Sequence, residues 1–497
     1  PPHCISSAAS DVYKRQALSR SVMAIQQAFA VAATQLTLMW RERRVLWLAL
    51  ALLLIAGASV LSGAARLTLQ AQERQAMSEE EARLWDSQGT IDPHSAAHVG
   101  RAIAAPLRPL AALDPGLTDY LGTSVFIEGH AQNPARHRAV DGGTALSRFE
   151  GFSAAWALQV VAPLLIILAG FATLSGDVAR ETLRQELGTG ASAGVLICGR
   201  LIALAAASLL LVLAMLLISL PGLSIQYGDA TDLAALLALA AAYLLYLLVF
   251  CALTVGVSAL AGSARTSLVV LLGFWVVSTL LLPRVAPAVA ESLYPTPSAP
   301  AFRTGVTEEA ENGADGHDPA DKRLDALRAA LMARYRVDSV DDLPLNFRGV
   351  ALEFAEANST RVYNRHFDRL HATYQQQDAT QRLFGLASPT LALQSWSRAF
   401  AGTDFPAHLA FLRGVEDYRY RLIQALNQEV KLHKAPQGGK HVADIAGITR
   451  SVHYRPPQQT LAGTATAQRG NLVILLVWLM LGCVVVLISA RKLGRSP

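Results

Sequence analysis

Six apolar stretches separated by two long polar segments dominate this sequence, and a chain so patterned folds in a bilayer. They run Val45–Leu61, Phe152–Leu174, Leu201–Leu220, Leu233–Leu253, Ser267–Leu282 and Asn471–Ala490, close to the ~20 residues that a helix needs to cross the hydrocarbon core. Backbone polar groups inside a bilayer must be satisfied within the segment or within a closed barrel. The predicted fold is therefore an all-α integral membrane protein: six transmembrane helices with two extracytoplasmic, mainly helical insertions. Only 16% of the residues are charged, against about a quarter in soluble domains. The basic residues flank the apolar stretches instead of forming a stripe with interleaved aromatics, which argues for membrane topology and against nucleic acid as a partner.

Arginine and lysine positions give the orientation. Arg41, Arg43 and Arg44 precede the first span, Arg180, Arg184 and Arg200 lie between the second and third, Arg265 between the fourth and fifth, and Arg491, Lys492 and Arg495 follow the sixth. The opposite loop, Pro221–Asp232, has neither Lys nor Arg. By the positive-inside rule both termini, residues 175–200 and the tail 491–497 face the cytoplasm. Residues 62–151 and 283–470 are then extracytoplasmic. Residues 1–22 lack the apolar core of a signal peptide and read as a non-native leader, with Met23 as initiator. Residues 23–44, which end in a basic cluster, read as a helix lying along the cytoplasmic interface.

Within the first external segment, Leu67–Trp85 continues the membrane helix, and Asp92-Pro93 and Asp114-Pro115-Gly116 are turn signals. In the second, Tyr363, Phe367, Leu370 and Tyr374 mark one helical face, as do Leu324, Leu327 and Leu331. A further helix is predicted around His408–Val430, and Lys434–Gln468 reads as irregular. The four cysteines form no CxxC pair, and Cys198, Cys251 and Cys483 fall in or beside spans. No disulfide framework is expected. His94 and His98 are four apart, and His130 and His137 follow. Such ligands suit Zn²⁺ or Cu²⁺, but no spacing enforces their convergence, and a surface or packing role is expected, with no metal ligand assigned.

The segment Asp177–Arg200, DVARETLRQELGTGASAGVLICGR, together with six spans and an N-terminal interfacial helix, resembles the permease subunit of an ABC-2-type exporter. Asp177, Arg180, Glu181, Thr182, Leu183 and the pair Gly199-Arg200 carry the likeness, whereas Gln185-Glu186-Leu187-Gly188 departs from the commoner, more hydrophobic form. The segments WDSQGTIDPHSAAHVG, EGHAQNPAR, LYPTPS and SPTLALQSWSRAFAGTD are similar to ABC-2-related permeases with a large extracytoplasmic domain of unknown function. The resemblance implies a transport subunit of the bacterial cytoplasmic membrane, not an enzyme. It implies coupling to a separate ATPase through Asp177, Arg180, Glu181, Thr182, Leu183, Arg184, Glu186 and Leu187, and pairing with a second permease copy or similar chain. It does not supply a substrate.

The residues support that reading directly. An amphipathic helix over this segment presents Arg180, Glu181, Arg184 and Glu186 to a partner while Val178, Leu183 and Leu187 face the bilayer or bundle. No Walker A sequence occurs, since Gly438-Gly439-Lys440 is followed by His441 and lacks the upstream glycine. ATP would thus be bound by the partner and no cofactor by this chain. No Asp, Glu, Lys or Arg lies deep in any span, which argues against an ion-driven carboxylate relay. Two other classes remain open: a membrane-anchored extracytoplasmic interaction protein, and a membrane hydrolase using Ser192 of Gly190-Ala-Ser-Ala-Gly194, which would need a strand before the serine.

Overall fold

The computed structural model describes residues 3–142, 152–224, 230–311, 322–434 and 440–495, with side chains of the first helix from Val22 onward. Parts of the lysine- and arginine-free loop and Gly438-Gly439 lie outside them. The fold is all-α, with almost no sheet. In chain order the helices of seven or more residues are α1 (His3–Arg41), α2 (Arg43–Asp86), α3 (Pro93–Val99), α4 (Ala154–Gly170), α5 (Asp177–Gly188), α6 (Ala193–Ser224) and α7 (Ala230–Leu260). They continue with α8 (Ala264–Leu293), α9 (Ala299–Glu311), α10 (Lys322–Tyr335), α11 (Phe347–Leu383), α12 (Pro389–Ala401), α13 (Phe405–Leu432) and α14 (Leu461–Leu493). Two antiparallel pairs complete it: β1 (Thr90–Ile91) with β4 (Ala443–Asp444), and β2 (Arg101–Ala104) with β3 (Ser124–Ile127).

Six helices are long and apolar enough to cross a membrane, but they are not the six expected. Val22–Arg41 joins them, and Ala154–Gly170 is a shorter apolar helix. The exposed side chains Met23, Ile25, Phe29, Leu38 and Trp40 lie all round α1, not along the single stripe of an interfacial helix. At 1.5 Å per residue α4 spans only about 25 Å. It is mostly buried, with Ala154, Ala162 and Ile167 inaccessible, so the bundle rather than lipid sets its length. α2 runs unbroken for 44 residues, about 66 Å, from the bundle into the external domain.

α7 is the central helix: 56% of its most apolar window is buried, against 11–28% in the other five long apolar helices. It packs most extensively on α14, where a Cβ on Gly256 would fall 2.7 Å from Val485 Cγ1 and one on Gly482 2.8 Å from Ala252 Cβ. Small residues here let two helices of one chain approach closely. The other long helices turn Leu54, Leu210, Leu217, Val269, Val473 and Met480 outward, as a lipid-facing surface requires.

The external domain is built on α11 and α13, which lie side by side. Asn346 caps α11 by accepting from Arg348 N at 3.0 Å, and Asp404 caps α13 by accepting from Ala407 N at 3.0 Å. Each cap satisfies an otherwise orphaned helix donor. Trp85 of α2, Ile103, Val125 and Ile127 of the β2–β3 pair, and Phe411, Tyr418 and Leu426 of α13 form its core. Both external segments therefore fold into one unit.

α12 does not belong to that unit. Leu393, Trp396 and Phe400 are part of the bundle core together with Leu239, Tyr243 and Leu475. Residues 389–401, expected in the extracytoplasmic domain, are inserted among α4, α7, α8 and α14. The hairpin turn before them reaches Trp478, halfway along α14, whose indole donates to the Gly385 carbonyl at 3.1 Å.

Candidate functional site

α5 has two faces. Leu183 is buried and Leu187 packs on the bundle core, while Glu181, Thr182 and Arg184 are exposed. Asp177 opens the helix, and its side chain and that of Val178 lie outside the description. Arg180, which is exposed, and Glu186, which is part-buried, also make contacts within the chain. Glu186 Oε2 pairs with Arg200 Nη2 at 2.9 Å, and Arg200 is itself 5% exposed. Arg180 Nη2 donates to the Ala261 carbonyl at 3.2 Å, at the C-terminal end of α7, where a cation also suits the helix dipole. These two charges fasten the helix to the bundle.

The Gly199-Arg200 pair acquires a physical reason. A Cβ on Gly199 would lie 2.6 Å from Val31 Cβ and 2.8 Å from the Ala28 carbonyl oxygen, so glycine lets α1 approach α6. Arg200, next in sequence, holds α5. Lys492 Nζ reaches the Leu260 carbonyl at 3.5 Å, so α5, the end of α7 and the end of α14 share one end of the bundle. The external domain occupies the other. Ser192 caps α6, its Oγ accepting from Val195 N at 3.3 Å. The element leading into it is the helix α5, not a strand, so the nucleophile-elbow geometry is missing.

Around α12 the bundle interior is polar in a way that apolar periodicity hid. α4 and α8 each contain a π-helical turn, Ala157–Val161 and Val276–Leu281, followed by Pro163 and Pro283. A proline supplies no backbone donor, so carbonyls of the preceding turn need another partner. Tyr246 Oη donates to the Gln159 carbonyl at 2.7 Å, and Ser388 Oγ donates to the Ser278 carbonyl. Gln159 Nε2 donates to Tyr243 Oη at 2.9 Å, and Tyr243 Oη lies 2.9 Å from Ser397 Oγ. Thr390 bridges Tyr246 and Thr279 at 3.0 and 3.3 Å. Ser397 ends the chain on the buried Asp114 carboxylate. Burial pushes the Asp114 carboxyl up, against the opposing pull of Arg398, Ser397 and the Gly116 N–H.

In the external domain Arg419, 2% exposed, lies between two carboxylates. Its Nη1 is 2.6 Å from Glu356 Oε1 and its Nη2 2.8 Å from Glu416 Oε1. Burial opposes the charge on Glu356, yet hydrogen bonding from His130 and the Arg419 charge outweigh it and hold that carboxyl at about 2. For Glu416 burial wins, and its carboxyl is raised. Burial, with the neighbouring His371, lowers His408 to about 4.

Three histidines of the first external segment come together in space. Asp92 caps α3, accepting from His94 N, and Pro93 follows in the first turn. The helix so started places His94 and His98 on one face, with their Nε2 atoms 3.2 Å apart. His130, held at φ 65° in the loop after β3, brings its ring centroid to 5.5 and 5.4 Å from theirs. His94 is buried, which fits the packing half of the expected surface or packing role. His137 is not part of the group, since its Nδ1 lies 2.8 Å from Ser124 Oγ. His366 pairs instead with Glu309 at 2.8 Å.

Multiple long apolar helices with lipid-facing surfaces, capped by one helical external domain, define a multi-pass membrane protein. Residues 301–442 match a family model described as a domain of unknown function, DUF3526. That match runs from α9 through α13 and includes the inserted α12. No curated protein matches the chain.

Proposed function

We propose that this chain is the membrane-spanning subunit of an ATP-driven exporter of ABC-2 type, in a bacterial cytoplasmic membrane. The observation that carries the reading is the two-faced α5. A helix pinned by Leu183, Glu186–Arg200 and Arg180 to the bundle offers Glu181, Thr182 and Arg184 outward, and a partner pushing on it would move α6 and α7 with it. The clustering of Arg180, Arg200 and Lys492 at that end favours a cytoplasmic position by the positive-inside rule. ATP would be hydrolysed by a separate ABC ATPase, the chain itself performing no catalysis, and a second copy or a similar permease would complete the assembly.

The test is co-purification from membranes with an ABC ATPase of the same genome, with ATP-dependent export as a second readout. Glu181→Lys and Arg184→Glu should each weaken ATPase retention at least tenfold while leaving membrane insertion unchanged. Full ATPase binding and transport by both variants would defeat the assignment. The polar chain around α12 also supports a transport reading over a mere anchor, because an anchor has no use for satisfied hydroxyls at the bundle centre.

A further inference from the structure

We propose that His94, His98 and His130 form a binding site for a divalent transition-metal ion with imidazole preference, Zn²⁺ or Cu²⁺. One ligand atom from each of the three lies within 4.8 Å of the others. Two nitrogens bound to one ion at about 2.0–2.1 Å in tetrahedral geometry are roughly 3.3 Å apart, and the two Nε2 atoms of His94 and His98 already stand 3.2 Å apart. Only a small turn of His130 is needed to complete the set.

The supports of the site are those a metal centre requires. His130 Nδ1 faces Glu356 Oε2 at 3.2 Å, which fixes the tautomer with the proton on Nδ1 and makes Nε2 the ligand atom. A carboxylate behind a ligating imidazole orients the ring and raises its basicity. The backbone of the loop is pinned on both sides: Gly129 N donates to the Ala97 carbonyl at 2.8 Å, and His130 N donates to Glu356 Oε2 at 2.9 Å. Ser359 Oγ donates to the His130 carbonyl at 2.6 Å. His94 is buried while His98 is exposed, so an ion approaching from water meets His98 first and retains an open fourth position for water or a donor from a partner. All three ligands come from the first external segment, so a bound ion would hold α3 against the loop after β3, with Glu356 of the second segment behind His130.

A second group, Glu429, His433 and His441, is weaker in this respect. Its carboxylate atom Oε1 already pairs with both imidazoles at 3.0 Å, and His433 and His441 stack nearly parallel, 12° apart, instead of converging. It serves as the control.

The full chain, purified in detergent and stripped with chelator, would be titrated with ZnCl₂ and separately with CuCl₂, with bound metal counted by elemental analysis and the melting temperature followed. One tight equivalent per chain and a rise in melting temperature are expected. His98→Ala, a change at an exposed position, should abolish the tight equivalent. Glu356→Gln should weaken it about 10–100-fold. His137→Ala and His433→Ala should leave it intact. Absence of any tight equivalent in the wild-type chain, or its retention in a folded His98→Ala variant, would overturn the proposal, as would its loss on His433→Ala alone.

Discussion

Arg419 shows how a single side chain decides whether the external domain holds. With two carboxylates and the Thr360 hydroxyl on its guanidinium, it repays the desolvation of three buried groups only while all are present. Arg419→Met should destabilise the domain by about 3–5 kcal/mol, because Glu356 and Glu416 would be left without a counter-charge; chemical unfolding in detergent reads this. His408 gives a pH dependence of known sign. Its folded value of about 4 lies below the ordinary 6.5, so between those values the unfolded chain binds more protons and stability falls as pH falls. Glu356 adds a further loss between about 4.5 and 2. A melting profile from pH 7 to 4 should slope downward, and His408→Gln should flatten that limb. A profile unchanged by the substitution would mean that His408 titrates alike in both states.

At the scale of elements, α5 and α12 were legible to different degrees. The charges and the 3.6-residue spacing of Leu183 and Leu187 made α5 readable as an amphipathic helix, and the structure places it as a helix. Which charges serve the bundle was not readable, because Arg200 becomes a neighbour of Glu186 only through the fold. α12 was missed as a bundle element for a related reason. Trp396 and Phe400 alternate with Ser397, Arg398 and Thr390, and a hydropathy window averages that mixture to an external segment, although each hydroxyl is satisfied at depth by Tyr243, Tyr246 or a proline-freed carbonyl. Tyr246→Phe should cost about 1–3 kcal/mol by leaving the Gln159 carbonyl without its donor, read as a lower melting temperature. Gly199→Leu should destabilise by about 1–3 kcal/mol through overpacking against α1, and loss of α1 protection from proteolysis would accompany it.

At the scale of the whole molecule, the sequence announced a membrane protein with external helical material, and that much followed from apolar length alone. The identity of the long helices did not, since α1 is interrupted by Gln26, Gln27 and Gln35, and α4 is short because it is enclosed. The convergence of His94, His98 and His130 needed the tertiary fold: four-residue spacing supplied one pair, and only the left-handed turn at His130 supplied the third ring.

The insertion of α12 makes the external domain and the bundle inseparable in construction. A chain shortened by excising the DUF3526 region would lose a wall of its own membrane interior, exposing the Tyr243 and Tyr246 hydroxyls to hydrocarbon. Conversely, a force applied to the outer domain, by a captured molecule or a neighbouring protein, would be delivered as leverage on a wedge seated between helices, with the unbroken rod of α2 as a parallel strut.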